Sequence, residues 1–288
     1  MPPPDEVRLL IDPPQPGAWN MAVDEALLED AIDHGGASLR FYQWSEPTLS
    51  LGYFQRYTER VEHAASQDCA IVRRQSGGGA ILHDRELTYS LILPPGHRLT
   101  RDAPHLYETV HAGFIRAITE LCSQAAKGEY EAASLRIRGD IQGSNPSEAA
   151  EPFLCFQRQA VGDVVLPPSP SSGRAGLSQT PAESSKSATH SLLPLKVLGS
   201  AQRRHRGAIL QHGSLLVERS PAAPELAGLR DLVGFAVGID ALISALCEKL
   251  AECLHLRPIP FALTTGLQSR AAELTNLKYG SPAWTARR

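Results

Sequence analysis

The glycine triplet Gly77-Gly78-Gly79 limits what this chain can fold into more than any other feature. It follows a run rich in β-branched residues, 70–74, and precedes a second strand-like run, 87–93. The backbone therefore leaves a strand through residues that tolerate positive φ and let another group approach closely. Successive N–H groups of such a loop can converge on an anion. Arg73 and Arg74 stand at its entrance, where they could hold a phosphate or carboxylate, and Gln75, Ser76 and His83 flank it. A hairpin connection that merely needs glycine fits the triplet equally well. No GxxxxGK[ST] run occurs, so this is not a nucleotide P-loop.

Around the triplet, apolar and β-branched runs predict strands at 7–11, 39–44, 48–54, 153–156, 161–166, 195–198 and 208–217. The segments 39–44 and 48–54 read as two strands around a turn. A helix capped by Asn20 is expected to end at Gly35-Gly36, and 58–67 reads as a short polar helix. Leu106, Val110, Phe114, Ile118 and Leu121 form one stripe of a longer helix to about residue 126. Leu242, Leu246, Leu250 and Leu254 mark another, and 264–277 a further one. With no steady βαβ alternation, the pattern predicts an α+β fold.

The 28 residues 167–194 contain eight Ser and five Pro. Such a stretch cannot offset its ordering entropy by burial, so it reads as a disordered excursion within a hairpin. The expected organisation is a domain over 1–235 carrying this insertion, with 236–288 a helical segment packed on the same domain.

Of 288 residues, 42% are apolar, enough for one large core. Lys plus Arg number 28 against 31 Asp plus Glu, a net charge of −3, which argues against a nucleic-acid partner. No apolar run approaches membrane length, and MPPPDEVRLL lacks the basic and apolar stretches of a signal peptide. The five cysteines are scattered and form no CxxC pair. The expectation is a cytoplasmic chain with reduced thiols, no membrane contact and no metal.

Among these cysteines Cys155 differs in its surroundings, because it precedes a hairpin whose far side carries Lys196. A nucleophilic cysteine needs a nearby cation to form thiolate at neutral pH. Buried cysteine and solvated lysine are the commoner fates of these residue types. Between strands, Gly199, Ser200 and Ala201 leave room for a ligand, and His212 and Gly213 interrupt the apolar strand 209–217.

Taken in order, NMAVDEALL (20–28), RFYQW (40–44), LSLGYFQ (49–55), RRQSGGGAILHD (73–84), LTYS (87–90), KVLGSAQRR (196–204) and ILQHGSLLV (209–217) resemble the biotin/lipoate protein ligase catalytic domain. Within it, Cys155-Phe156 and a lysine ahead of GSAQ are similar to octanoyltransferases of the LipM kind. The resemblance implies a mixed, largely antiparallel sheet flanked by helices, the class II synthetase-like fold. It implies Cys155 as the acyl-thioester nucleophile and Lys196 as the residue lowering its pKa. Substrate-binding residues would be Arg74, Ser76, Gly77, Gly78, Gly79, His83, Gly199, Ser200, Ala201, His212 and Gly213, with His83 or His212 taking the acceptor's proton. The implied donor is octanoyl-acyl carrier protein, and the acceptor a lipoyl domain or glycine cleavage H protein. Neither ATP nor metal is called for. The alternatives are a lipoyl or octanoyl amidotransferase between carriers, an ATP-dependent lipoate ligase, and a non-catalytic acyl-binding relative.

Overall fold

The computed structural model describes residues 5–125, 135–139, 152–158, 160–166, 194–233 and 237–288. The Ser/Pro excursion, apart from Pro194, lies outside them.

An eight-stranded sheet organises the molecule. It contains β1 (Asp5–Ile11), β2 (Ala37–Tyr42), β6 (Glu86–Leu93), β7 (Arg136–Ile137), β8 (Val164–Leu166), β9 (Leu195–His205), β10 (Ala208–Leu216) and β11 (Leu256–Pro260), in the order β11-β1-β2-β6-β10-β9-β8-β7. Only the β11-β1 and β1-β2 pairs are parallel, as the mixed, largely antiparallel expectation requires. A second sheet, β4-β3-β5, is made by β3 (Thr48–Leu51), β4 (Ala70–Arg73) and β5 (Ile81–His83). The runs expected to flank one turn, 39–44 and 48–54, therefore part company into two sheets.

Every residue of β6 is buried, because helices cover both faces of the large sheet. Period-two alternation sends Tyr89, Leu91 and Leu93 to one side and Ile92 to the other. The first side meets α2 (Ala103–Ala125) and α3 (Ile239–Leu254) through Val110, Phe114, Leu246 and Leu250. The second meets α1 (Gly17–His34) and α4 (Thr265–Leu274) through Val23, Leu27, Leu267 and Ala271. The C-terminal segment is more than helical, since its β11 extends the large sheet beside β1. The second helical stretch closes in a π-helical turn, Thr275–Tyr279. No helix among the described residues is long and apolar enough to cross a membrane.

Asn20 does not cap α1, which begins three residues earlier at Gly17. Instead its buried amide donates to the carbonyls of Gln15 and Gln43, 3.1 Å each, which tethers the loops on either side. One turn later Asp24 receives Arg40 Nη1 at 2.8 Å, the Tyr42 hydroxyl at 3.1 Å and the Ser90 hydroxyl at 2.8 Å. Burial opposes its ionisation, but bonding to His212 and the charge of Arg40 outweigh it and hold the carboxyl below the usual range. A fixed negative charge thus lies under the middle of the sheet.

Candidate active site

Cys155 stands where the two sheets meet. The expected strand 153–156 is reduced to one bridge, Leu154 to Ala80. Phe153 and Leu154 are drawn into the apolar core of the small sheet with Leu49, Leu51 and Leu82. The Cys155 N–H donates to the Ala80 carbonyl at 2.7 Å, and the chain then turns through a 3-10 segment, Cys155–Gln157. The cysteine is thereby pinned against the residue that follows the glycine triplet.

Lys196 approaches from β9. Its Nζ lies 3.6 Å from Cys155 Sγ and 3.3 Å from the Cys155 carbonyl oxygen. The side chain lies across Gly199, where an added Cβ would fall 2.5 Å from Lys196 Cε. Next to it, Gly213 lets β10 come close to β9, since a Cβ there would meet Ser200 Oγ at 2.2 Å. Gly199, Ser200 and Ala201 are accordingly strand residues, paired with Ser214, Gly213 and His212, and not the loop their small size predicts.

A third group was missed in the sequence. Asp163 Oδ2 lies 3.0 Å from Lys196 Nζ, and both side chains are almost fully buried, at 2% and 3% exposure. The same oxygen accepts from the Ala160 N–H at 2.7 Å. Behind this turn, His111 Nδ1 donates to the Gly162 carbonyl at 2.6 Å, and Nε2 accepts from the Ser200 hydroxyl at 2.7 Å. Burial pulls His111 down to about 4, so the ring is neutral and supports this polarity. Tyr89 donates to Ser200 Oγ at 2.7 Å, so the serine hydroxyl is committed to holding the scaffold.

Arg74 lines the cleft, but Nη1 and Nη2 are bonded to the carbonyls of Ser50, Gly77 and Gly79, which shapes the glycine loop. Burial pulls it down to about 10, against a raising contribution from Cys155, which marks it as a second cation near the thiol. Arg73, read from sequence as an anion clamp, is buried and bonds to the carbonyls of Gly52, Gln55 and Thr285. The backbone N–H groups of Gly77 and Gly78 have no acceptor among the described residues.

The two candidate histidines differ. His83 Nδ1 lies 2.7 Å from Glu86 Oε1, and its ring stacks on Trp44 at 3.9 Å. Burial, partly offset by Glu86, holds it below its ordinary value. His212 Nδ1 faces the Asp24 carboxylate at 3.4 Å, while Nε2 meets Ser76 Oγ at 2.5 Å. Because Asp24 is ionised, the Nδ1 proton points at it, leaving Nε2 to accept from the serine.

These residues surround a cleft lined by Arg74, Gly77, Gly78, His83, Cys155, Gly199, Ser200, Ala201, His212 and Gly213, with Met21, Tyr42, Ile81 and Phe156 supplying apolar surface. Lys196, Ser76 and Gly79 sit behind that wall. Residues expected to act together from five separate segments thus converge on one space. An acyl chain could lie along it, with the thiol at one wall and a carboxylate-backed histidine at another.

A family profile described as the lipoyl protein ligase A/B catalytic domain matches residues 16–228. The octanoyltransferase LipM of Kyrpidia tusciae is 31% identical, over 98% of this chain and 98% of its own length. That of Geobacillus kaustophilus is 28% identical, over 95% of each. Among solved structures, a lipoate-protein ligase A bound with ATP superposes with a TM-score of 0.67 at 21% identity, covering 98% of both chains. A putative lipoate protein ligase from T. acidophilum with bound lipoic acid gives 0.68 at 22%, covering 98% of this chain and 99% of that one. At these identities the two structures speak for the fold.

Proposed function

This chain belongs to the lipoyl protein ligase A/B catalytic-domain family and is an octanoyltransferase of lipoate biosynthesis, and we propose that the reaction runs through an acyl thioester on Cys155. The observation that carries this reading is the buried ammonium of Lys196 3.6 Å from Cys155 Sγ. Across such a gap the attraction of ammonium for thiolate reaches about 4 kcal/mol at an effective dielectric of about 20. Asp163 keeps the ammonium in place.

In the first step the Cys155 thiolate attacks the thioester carbonyl of an octanoyl group borne by acyl carrier protein. A carbon–sulfur bond to Cys155 forms and the carrier's thiolate departs, an exchange close to thermoneutral. In the second, the amine of a lysine on a lipoyl domain or H protein attacks the acyl enzyme. A carbon–nitrogen bond forms, the bond to Cys155 breaks, and the thiolate returns to its place beside Lys196. The amide is more stable than the thioester, so no ATP enters. The unpaired N–H groups of Gly77 and Gly78 are the donors for the oxyanion of each step.

The attacking amine must shed a proton. His212, which lines the cleft, accepts it at Nε2 in place of the Ser76 hydroxyl, with Asp24 stabilising the imidazolium. His83, whose Nδ1 meets Glu86 and whose Nε2 has no hydrogen-bond partner among the described residues, is the second candidate for that role.

Incubation with octanoyl-acyl carrier protein without ATP should add the mass of one octanoyl group to the intact protein. Loading that requires free acid and ATP would assign a ligase instead. His212→Asn should still load, yet transfer to a protein lysine about 10²-fold more slowly. Hydroxylamine, largely unprotonated at neutral pH, should discharge that variant at the wild-type rate. Equal slowing with hydroxylamine would remove His212 from the proton's path.

A further inference from the structure

Three arginines cluster beside the cleft with no carboxylate partner among the described residues, in contrast to the charge-paired arginines elsewhere on the surface. Arg8, Arg98 and Arg270 pair with Asp30, Asp5 and Glu29 at 2.6, 2.8 and 2.7 Å. Arg203 and Arg287 instead donate to backbone carbonyls, of Gln75 at 3.1 Å and Tyr53 at 3.2 Å. They lie 5.7 and 3.7 Å from the centre of the Tyr53 ring, while Arg288 lies 5.4 Å from that of Phe54. Among the described residues none of these three forms an ion pair, although the chain as a whole carries a net charge of −3.

The cluster belongs to the rim of the cleft. The Tyr53 N–H donates to the Ser76 carbonyl at 2.8 Å, and a Cβ on Gly77 would lie 3.9 Å from the Phe54 ring. The segment bearing Arg287 and Arg288 is fixed there, with Arg73 donating to Thr285 O at 2.8 Å and the Tyr57 N–H to Arg288 O at 2.8 Å. Phe54 is 68% exposed in the middle of this positive surface. The potential is felt locally: the bond and charge of Arg287, with Arg203 and Arg288 adding to them, draw the Tyr53 hydroxyl below its ordinary value.

We infer that Phe54, Arg203, Arg287 and Arg288 form the docking surface for the acyl-donating carrier protein, gripping a carboxylate-rich face around its thioester arm. An aromatic anchor ringed by unpaired arginines fits such a face. Charges of this kind on an interface rim act chiefly on the association rate and on its salt dependence. The identity of the partner rests on the transfer reading above; the charge and exposure of the surface do not.

The test is titration of octanoyl-acyl carrier protein against the wild-type chain, Arg287→Glu/Arg288→Glu, Arg287→Lys/Arg288→Lys, and Arg116→Glu on α2 as a control. The glutamate pair should weaken binding about 10-fold or more and flatten its salt dependence. The lysine pair and the control should bind within about 3-fold of wild type. Loading of Cys155 from the small neutral thioester octanoyl-N-acetylcysteamine should be unchanged in every variant. Carrier binding indifferent to the glutamate pair, or equal loss with the small thioester, overturns the inference. If neither donor loads the wild-type chain, the thioester reading fails, while the titration still decides the docking surface.

Discussion

Cys155→Ser is expected to lose octanoyl loading completely by intact mass and to lower transfer about 10³-fold or more, with the melting temperature little changed. The hydroxyl nearly matches the thiol in size and the position is only half-buried, so packing against Leu154 and Phe156 survives. What is lost, on the thioester proposal, is the anionic nucleophile. The ammonium of Lys196 at 3.6 Å helps a thiol ionise, but a hydroxyl lies far too high for the same attraction to produce an alkoxide. Cys69, Cys122 and Cys247 cannot substitute, because burial pushes each of their thiols up and none lines the cleft. A serine variant retaining wild-type transfer would end the covalent proposal.

The encounter of Cys155 with Lys196 was expected from the hairpin between them and from the family resemblance, across a separation of 41 positions. Two local anchors hold it in place. The thiol is tied to Ala80 just after the glycine triplet, and the lysine lies on β9 opposite Val165 of β8. Both attachments are made outside the Ser/Pro stretch. The α+β class followed from the order of strand and helix patterns, which shows no steady βαβ alternation. Asp163 and His111 were not legible. A lone aspartate before a strand is ordinary turn chemistry, and His111 sits within the apolar stripe of α2. Only the packing of α2 over the Gly162 turn gives either a role. The small residues of Gly199–Ala201 misled for the opposite reason: they serve close strand approach and the path of the lysine side chain, so they mimic a loop in composition.

That hidden carboxylate determines what happens when Lys196 is removed. Lys196→Met fills the same space but leaves Asp163 buried opposite no cation, keeping only the Ala160 N–H among the side-chain partners of the described residues. Breaking one side of such a pair costs about 3–5 kcal/mol, so chemical denaturation should show a loss of that order. At the same time the thiolate loses its neighbour. Alkylation of Cys155 by iodoacetamide at neutral pH should slow about 10-fold or more, and octanoyl loading about 10²-fold. The double variant Lys196→Met/Asp163→Asn separates the two consequences. Asparagine restores a neutral buried pair, so most of the stability should return, while alkylation and loading remain as poor as in the single variant. Recovery of loading together with stability would mean that Lys196 serves only to neutralise Asp163, and the activation of Cys155 would have to be sought in Arg74 instead, the other cation at the thiol.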